Sequence, residues 1–215
     1  IKQIRTAIKY VLSGLQQTNF PVGFAEQNGA SKNYMDILYN GSPTDRRIRN
    51  RNFVGPSSIS LERPNIAPLQ DDSIVPNIRM PYTVTEKADG IRKLLFINEK
   101  GKIYLIDVNM KFQFTGTVSK NKDLVNTILD GEHVLHDKFG AFINKYLAFD
   151  IYYIKKKDVR GKPFYISLDG DGADVMEKMT GRLVDLNKVI GGLQLMPLIG
   201  NKLPMTVDVK TFYPS

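Results

Sequence analysis

The fold is constrained most by a run of β-rich segments in the middle of the chain, which short turns separate. Beyond Met80, strands are predicted over residues 82–87, 92–98, 102–107, 128–135 and 145–154, with weaker candidates over 111–115 and 205–212. Asn98-Glu99-Lys100-Gly101 is typical of a hairpin turn, with glycine where a positive φ is needed. Strands joined by hairpins pair antiparallel. We therefore predict an α+β fold with antiparallel sheets flanked by helices, without the strand–helix alternation of a parallel sheet.

Helices are predicted on both sides of these strands. Apolar residues recur at helical spacing near the start and predict an amphipathic helix over residues 1–17: Ile1, Ile4, Ile8, Val11, Leu12 and Leu15. Residues 19–79 contain frequent prolines and are expected to be irregular, with one short helix around 34–39. A further helix is predicted over 174–190, and a helical turn over 122–127. We expect residues 1–52 to form an N-terminal helix and lead-in, and residues 53–215 to form the main domain.

The composition excludes several kinds of site. The chain has no cysteine and only two histidines, so disulfides, thiolate zinc sites and histidine-rich metal sites are excluded. The net charge of +8 favours an anionic partner: nucleic acid, a nucleotide or an acidic membrane surface. No apolar run approaches the length of a membrane span. Because the chain begins at Ile1 instead of Met, we expect it to be part of a longer protein.

A lysine between two predicted strands is the first candidate for chemistry. Lys87 lies in Glu86-Lys87-Ala88-Asp89-Gly90-Ile91-Arg92, flanked by an acid, a glycine and an arginine. An ordinary lysine has a pKa of about 10.4, so roughly one in 2,500 is neutral at pH 7, a cost of about 4.6 kcal/mol. Burial, nearby cations or a metal must lower that pKa before the amine can attack. Arg92 is expected to supply part of the positive field and to hold an anionic or hydroxyl-bearing ligand.

Two later segments place polar groups on apolar strands. Asp130-Gly131-Glu132 is an acid pair within a predicted strand, where a buried carboxylate needs a metal or hydrogen-bond donors. Phe149 and Asp150 are neighbours on the next strand, which predicts that they point to opposite faces. A phenylalanine at the edge of a polar site is suited to stacking on a base.

Each of these residues also has a purely structural interpretation. Arg92 would then pair with Glu86 across the turn, and Asp130-Gly131 would mark a hairpin turn. Phe149 would belong to the core, and Asp150 would hold a neighbouring loop by hydrogen bonds. The two histidines, His133 and His136, have no metal-binding partners at useful spacing and are predicted to be structural or surface residues.

Together these segments resemble the motifs of the covalent nucleotidyltransferases, the mRNA guanylyltransferases and polynucleotide ligases. Residues 87–92 match the KxDGxR motif that contains the nucleophile, residues 130–132 resemble the DGE motif, and Phe149-Asp150 resembles the strand motif that follows it. Residues 53–61 resemble the segment before the nucleophile in capping enzymes. Within the family the chain is most similar to the capping enzymes of large DNA viruses.

The resemblance implies a specific reaction and specific roles. Lys87 would attack the α-phosphate of GTP and form a Lys–GMP adduct, and GMP would then pass to the 5′-diphosphate end of RNA. Arg92 and Glu132 would contact the ribose, Phe149 would stack on guanine, Asp150 would lie at the nucleotide site, and Mg²⁺ or Mn²⁺ would neutralise the phosphates. Triphosphatase and methyltransferase domains, in the same polypeptide or a partner subunit, are expected companions, and a membrane is not. For a viral protein, the expected location is the cytoplasm, in a viral factory or virion.

The resemblance also implies a nucleotidyltransferase fold that continues beyond Ser215. A DGLIF-like strand, a lysine-pair motif and a C-terminal oligonucleotide-binding (OB) barrel are expected there, so part of the phosphate and metal site lies outside this chain. Two other functions share these features. One is an ATP-dependent DNA or RNA ligase, which differs in base and acceptor, and the other is a non-catalytic module that binds RNA or a partner.

Overall fold

The computed structural model describes residues 1–41, 48–69, 75–80, 82–165 and 180–214. Its helices are α1 (Lys2–Gln16), α2 (Phe24–Leu38), α3 (Arg63–Ile66) and α4 (Arg182–Gly191). Its strands are β1 (Thr83–Val84), β2 (Ile91–Ile97), β3 (Lys102–Ile106), β4 (Phe112–Ser119), β5 (Thr127–His136), β6 (Phe142–Ile154), β7 (Lys157–Asp158), β8 (Leu195–Pro197), β9 (Thr206–Val209) and β10 (Tyr213–Pro214). Short 3₁₀ turns occupy Asn50–Asn52 and Lys122–Leu124.

A single large sheet organises these elements. Its strand order is β7-β6-β5-β2-β3-β4-β8, and each of these neighbours pairs antiparallel. Strand β9 adds to β6 in parallel, and β1 forms a separate small sheet with β10. The prediction of an α+β fold rich in antiparallel strands is confirmed, because successive strands from β2 to β7 follow one another without an intervening α-helix.

The large sheet is buried on both faces. Along β2, Leu94 and Phe96 enter one apolar cluster, whereas Leu95 and Ile97 enter another. This alternation explains why β2 carries a continuous apolar run instead of a polar–apolar repeat. Helix α2 covers the first face with side chains that include Tyr34, and α4 covers the second with side chains that include Leu186.

Three elements have bounds that differ clearly from the sequence predictions. Helix α2 begins at Phe24, ten residues before the expected start, because its first half packs weakly and therefore has little apolar periodicity. The predicted strand over 82–87 is reduced to Thr83–Val84, which leaves Lys87 in a connecting segment. The helix predicted over 174–190 is observed from Arg182, and residues 174–179 lie outside the described residues.

The N-terminal helix is confirmed as α1, but its packing is unusual. None of its residues is buried against the rest of the described chain. Among the helices in the described ranges, none combines the length and apolar character needed to cross a bilayer. The expected boundary between residues 52 and 53 stays a prediction, and α2 from the N-terminal side packs directly on the sheet.

Candidate active site

The centre of the candidate site is an ion pair between β2 and β5. Nε of Arg92 donates to the two carboxylate oxygens of Asp130 at 3.1 and 3.2 Å, and Nη2 donates to Oδ2 at 2.5 Å. Tyr152 also donates its hydroxyl to Oδ2, at 2.7 Å. Arg92 therefore uses Asp130 as its partner, and the alternative pairing with Glu86 is wrong.

The electrostatic setting of this pair combines burial with direct contact. Burial raises the pKa of the Asp130 carboxyl, while the hydrogen bonds from Arg92 and Tyr152 act against that rise. The hydrogen bond to Asp130 in turn raises the pKa of Arg92. The raised pKa of Asp130 favours a neutral carboxyl, whereas the raised pKa of Arg92 implies an ionised carboxylate beside it. The bidentate contact decides in favour of an ionised carboxylate at neutral pH, because the guanidinium stays charged and its fork fits two carboxylate oxygens.

The segment before the lysine motif also contacts Arg92, through Phe53 and Pro56. Nη1 of Arg92 donates to the carbonyl of Pro56 at 2.7 Å, and the ring of Phe53 lies 5.4 Å from the guanidinium carbon. Gly55 between them has no room for a side chain, since a Cβ would meet Arg92, the Phe53 ring and, at 2.9 Å, Asp130. Glycine at this position lets the backbone approach the ion pair closely.

Phe149 and Asp150 reach the same side of the sheet through an irregularity in β6. The pairing register shifts between Asp130↔Asp150 and Gly131↔Ala148, so Phe149 is the extra residue of a bulge. Its ring lies 5.8 Å from the guanidinium carbon of Arg92. Asp150 pairs directly with Asp130 and therefore shares its face. The prediction that Phe149 and Asp150 point to opposite faces is wrong, because strict alternation fails at a bulge.

Asp150 has a strong protein partner of its own. Arg182, the first residue of α4, donates from Nε and Nη2 to its two carboxylate oxygens at 2.8 and 3.0 Å. The backbone N–H of Ile151 donates to Oδ1 at 2.7 Å. Asp150 therefore ties the start of α4 to β6, as the structural interpretation expected of it.

Glu132 lies directly opposite Arg92 in the β2–β5 register. Burial raises the pKa of its carboxyl, whereas the charges of Lys210 and Lys87 and a backbone hydrogen bond from Gly90 act against the rise. Asp130-Gly131-Glu132 is part of β5, so the alternative that it forms a hairpin turn is wrong. Gly131 is required there because a Cβ would meet the Tyr146 ring at 2.5 Å and the Leu147 carbonyl oxygen at 2.6 Å.

Lys87 stands at the rim of this group of residues. Its side chain is 89% exposed, and its ammonium lies 3.4 Å from the exposed carboxylate of Asp89. The burial expected around the amine is not formed by the described residues. A nearby cation is present, because Lys210 is close enough for the Lys87 charge to act on it. Lys87 and Lys210 also line a cavity of about 230 Å³ together with Glu86, Leu147 and Tyr213.

Lys210, Tyr152 and Arg182 are the site residues that the sequence did not single out, and Asp130 was identified only as part of the acid pair, without its partner. Burial lowers the pKa of Lys210, and the charge of Glu132 acts against that fall. Lys210 reaches the site because β9 pairs in parallel with β6 and its own N–H donates to the Ala148 carbonyl at 2.8 Å. A pairing between segments so distant in sequence leaves no local signal. Asp130 did have a local signal in the sequence, because an acid within an apolar strand needs a partner.

The face of β2 opposite Arg92 carries a separate polar network. Lys93 is buried and donates from Nζ to Oε1 of Gln113 at 2.6 Å, and it lies 3.2 Å from Nδ1 of His133. Nε2 of His133 is 2.7 Å from Oδ1 of Asn144. A lysine donor on one ring nitrogen and an amide oxygen on the other suit a neutral imidazole with its proton on Nε2. Burial lowers the pKa of His133, and the Lys93 charge lowers it further. The structural role predicted for His133 agrees with these contacts.

We expect His133 to make the protein less stable as the pH falls below about 6.5, the ordinary histidine pKa. Because the folded pKa lies below the unfolded one, the unfolded chain takes up the proton first, and acid favours unfolding in that window. The check is urea unfolding at about pH 7.5 and about pH 5 for wild type, His133→Gln and His136→Gln. The acid-induced loss should shrink in His133→Gln and stay unchanged in His136→Gln, whose side chain is exposed. An equal loss in all three proteins would contradict this assignment.

A resident metal is not supported by the described side chains. Within those ranges, no group of three histidine, aspartate or glutamate residues is close enough to hold an ion. The carboxylates of Asp130 and Asp150 are occupied by arginines, which leaves Glu132 as the half-buried acid of the site. The residues present therefore do not fit a metal cage built from protein ligands alone.

Comparisons with known proteins place the chain among mRNA capping enzymes. The family described as "mRNA capping enzyme, catalytic domain" matches residues 26–182. The chain is 26% identical over 163 residues to a probable mRNA-capping enzyme of Acanthamoeba polyphaga mimivirus, which covers 74% of this chain and 12% of the relative. It is 30% identical over 190 residues to an mRNA-capping enzyme of Caenorhabditis elegans, which covers 74% of this chain and 29% of the relative. An mRNA-capping enzyme of Danio rerio is 31% identical over 107 residues, which cover 46% of this chain and 16% of that relative.

The chain spans less than a third of the length of each of these relatives. The family match nevertheless covers well over half of the chain and includes the lysine motif, the Arg92–Asp130 pair and the bulge at Phe149. This chain belongs to the family of mRNA capping enzyme catalytic domains.

Proposed function

We propose that this chain is the guanylyltransferase part of an mRNA capping enzyme and that it transfers GMP from GTP to RNA through a covalent Lys87 intermediate. The observation that carries the proposal is the grouping of Arg92, Glu132 and Phe149 on one face, beside the segment that contains Lys87. A stacking ring suits a base, and a fixed cation beside a half-buried acid suits the hydroxyl groups of a ribose. The capping enzymes among its relatives support the same activity.

The first step forms a phosphorus–nitrogen bond. The neutral amine of Lys87 attacks the α-phosphorus of GTP, the bond from that phosphorus to the bridging oxygen breaks, and pyrophosphate leaves with the electron pair. The amine loses its proton to water, which reaches it freely because the side chain is exposed. Lys210 is a nearby cation of the described site, close enough for the charge of Lys87 to act on it.

The second step reverses the bond at the same nitrogen. A terminal oxygen of the RNA 5′-diphosphate attacks the phosphorus of Lys–GMP, the phosphorus–nitrogen bond breaks, and the amine regains a proton from water. The capped end then carries three phosphates between guanosine and RNA. The net charge of +8 favours the approach of both anionic substrates.

The chain's own residues receive distinct roles in binding. Phe149 stacks on guanine, and Arg92 and Glu132 contact the ribose hydroxyls. Asp130 positions Arg92 through the bidentate contact. Asp150 contacts the nucleotide only if its pair with Arg182 opens, so we assign it first to positioning α4. Mg²⁺ or Mn²⁺ remains an expected requirement, and none of the steps above depends on it.

The remaining expectations of the family form part of the same proposal. The domain has a nucleotidyltransferase fold, and the strand and lysine-pair motifs expected beyond Ser215 complete the phosphate site. Triphosphatase and methyltransferase activities accompany it in one polypeptide or in a partner subunit. The viral relative supports a viral origin. For a viral protein, we propose that the place of action is a cytoplasmic factory or virion.

The test is covalent labelling of the full-length protein with GTP or ATP that carries a radioactive α-phosphate. After denaturation, label from GTP and none from ATP is expected, and acid should release it as a phosphoramidate. Label from ATP alone would overturn the proposal in favour of a ligase. No label from either nucleotide would overturn it in favour of a non-catalytic module.

A further inference from the structure

Helix α1 presents an unpartnered apolar stripe to solvent. The stripe consists of Ile1, Ile4, Ile8, Val11 and Leu15, with side chains between 54% and 89% exposed. Helices of about 15 residues are marginal in water, and in proteins they are stabilised mainly by packing an apolar face. None of the stripe residues is buried by the described part of the chain, so the helix lacks its usual source of stability.

The C-terminal end of α1 is nevertheless attached firmly. The side chain of Gln16 exchanges two hydrogen bonds with the backbone of Val22, at 2.9 and 3.0 Å. The hydroxyl of Thr18 donates to the carbonyl of Phe114 at 2.6 Å. The half-buried side chains near this end are Leu12, Ser13 and Gln16, none of which belongs to the stripe. The rest of the described chain therefore contacts a different side of α1, and the stripe stays exposed to solvent.

The spacing of the stripe is that of a helix-pairing seam. Intervals of three, four, three and four residues place its members at alternating a and d positions of two heptads. A seam of this kind is narrower than the broad apolar face, usually with bulky aromatics, of a helix that lies in a membrane surface. The geometry therefore favours another helix over a lipid surface.

The basic residues of α1 indicate which charge the partner helix carries. Lys2, Arg5 and Lys9 lie within about 60° of one another around the helix, on one flank of the stripe. The first acidic residue of the chain is Glu26, so α1 itself offers no negative charge. A second copy of this chain would bring like charges together. In the a/d numbering of the stripe, Arg5 occupies an e position, where an acidic partner would pair with it across the seam. Lys2 and Lys9 occupy b positions and attract acidic residues at longer range.

We propose that α1 is a docking site for an amphipathic helix of a second protein, which buries an apolar a/d stripe against α1 and places acidic residues beside Arg5, on the flank that also carries Lys2 and Lys9. The stripe includes neither Arg92 nor Lys87, so the proposal does not depend on guanylyltransferase activity. The small residues Ala7 and Gly14 on the other flank allow the partner backbone to approach closely.

The test uses fluorescence anisotropy with a labelled synthetic peptide of three heptads, with leucine at a and d and glutamate at e and g. The matched peptide has lysine at e and g. The acidic peptide should bind the chain at least about tenfold more tightly than the basic one, and added salt should weaken it. Equal binding of the two peptides, or no binding of the acidic one, would overturn the proposal.

Variants distinguish the contribution of the stripe to peptide binding from that of the net charge of α1. Ile4→Asp/Ile8→Asp should weaken binding at least about tenfold, whereas Gln3→Asp/Thr6→Asp adds the same charge on the opposite face and should weaken it far less. Arg5→Gln/Lys9→Gln keeps the stripe intact, so it tests charge pairing even if the aspartate variants unfold α1. Circular dichroism measures the helix content of each variant. Equal effects of the two aspartate pairs would contradict docking through the stripe.

Three further outcomes would favour other occupants and overturn the proposal. Stripe-dependent binding to vesicles of phosphatidylglycerol and phosphatidylcholine, in place of the peptide, would indicate a membrane. Stripe-dependent dimers in light scattering would indicate a second copy. Peptide binding by the 215-residue chain that is lost in its full-length protein would indicate a segment of the same polypeptide.

Discussion

Lys87→Ala should abolish the covalent nucleotide label completely and leave the stability of the protein unchanged. The label disappears because the proposed phosphorus–nitrogen bond has no other amine in its place. Stability is preserved because the side chain is 89% exposed and its ion pair is with the exposed carboxylate of Asp89. Labelling with α-phosphate-labelled GTP and urea unfolding of the same preparations provide the two measurements.

Two further variants make this result specific to the lysine amine. Lys87→Arg should also lose the label, because a guanidinium stays protonated and cannot attack phosphorus. Lys100→Ala removes an exposed lysine from the β2–β3 turn and should keep the full label. Label that survives in Lys87→Ala, or that maps to Lys210 in the wild-type protein, would refute Lys87 as the nucleophile.

Asp130→Ala should destabilise the protein by about 3 kcal/mol, towards the lower end of the cost of breaking a buried ion pair. Asp130 is fully buried, and its loss leaves the Arg92 guanidinium and the Tyr152 hydroxyl without their acceptor. We choose the lower end because the Arg92 side chain is 28% exposed and water can replace part of the lost contact. Urea unfolding at neutral pH measures the change.

An exposed ion pair of the same chain is the matched control. Asp158 and Arg160 form a similarly short contact at 2.6 Å, but their side chains are 45% and 44% exposed. Asp158→Ala should therefore cost at most about 1 kcal/mol. Arg92→Met/Asp130→Leu removes both charges and should lose less stability than Asp130→Ala alone. If Asp130→Ala costs no more than Asp158→Ala, the pair does not have the structural role assigned to it.

Most of the strands could be predicted from sequence because their signals are local. The apolar run in β2, the Asn98–Gly101 turn and the strand of residues 127–136 are each specified by neighbouring residues. The KxDGxR and DGE motifs likewise have fixed order and identified Arg92 and Glu132, which are direct partners in the β2–β5 register. The start of α2 could not be predicted in this way, because a helix that packs mainly through its second half shows little apolar periodicity in its first half.

The contacts within the site depend on pairings that local sequence does not specify. The bulge that brings Phe149 to Arg92 arises from the register between β5 and β6, and a shift of one residue changes which face a side chain occupies. Lys210 reaches Glu132 only because β9 adds in parallel to β6. Arg182 forms an ion pair with Asp150 because α4 begins beside β6.

By itself, the sequence determined the antiparallel α+β class, the helical period of α1 and the identity of the lysine, arginine and acid that belong to one motif set. Those properties follow from residue types and short spacings, which act over a few residues. Only the tertiary structure decided that Asp130 holds Arg92, that Lys87 remains exposed and that the stripe of α1 has no described partner. Burial and ion pairing depend on the residues that the fold brings near, and these lie tens of residues apart in the chain.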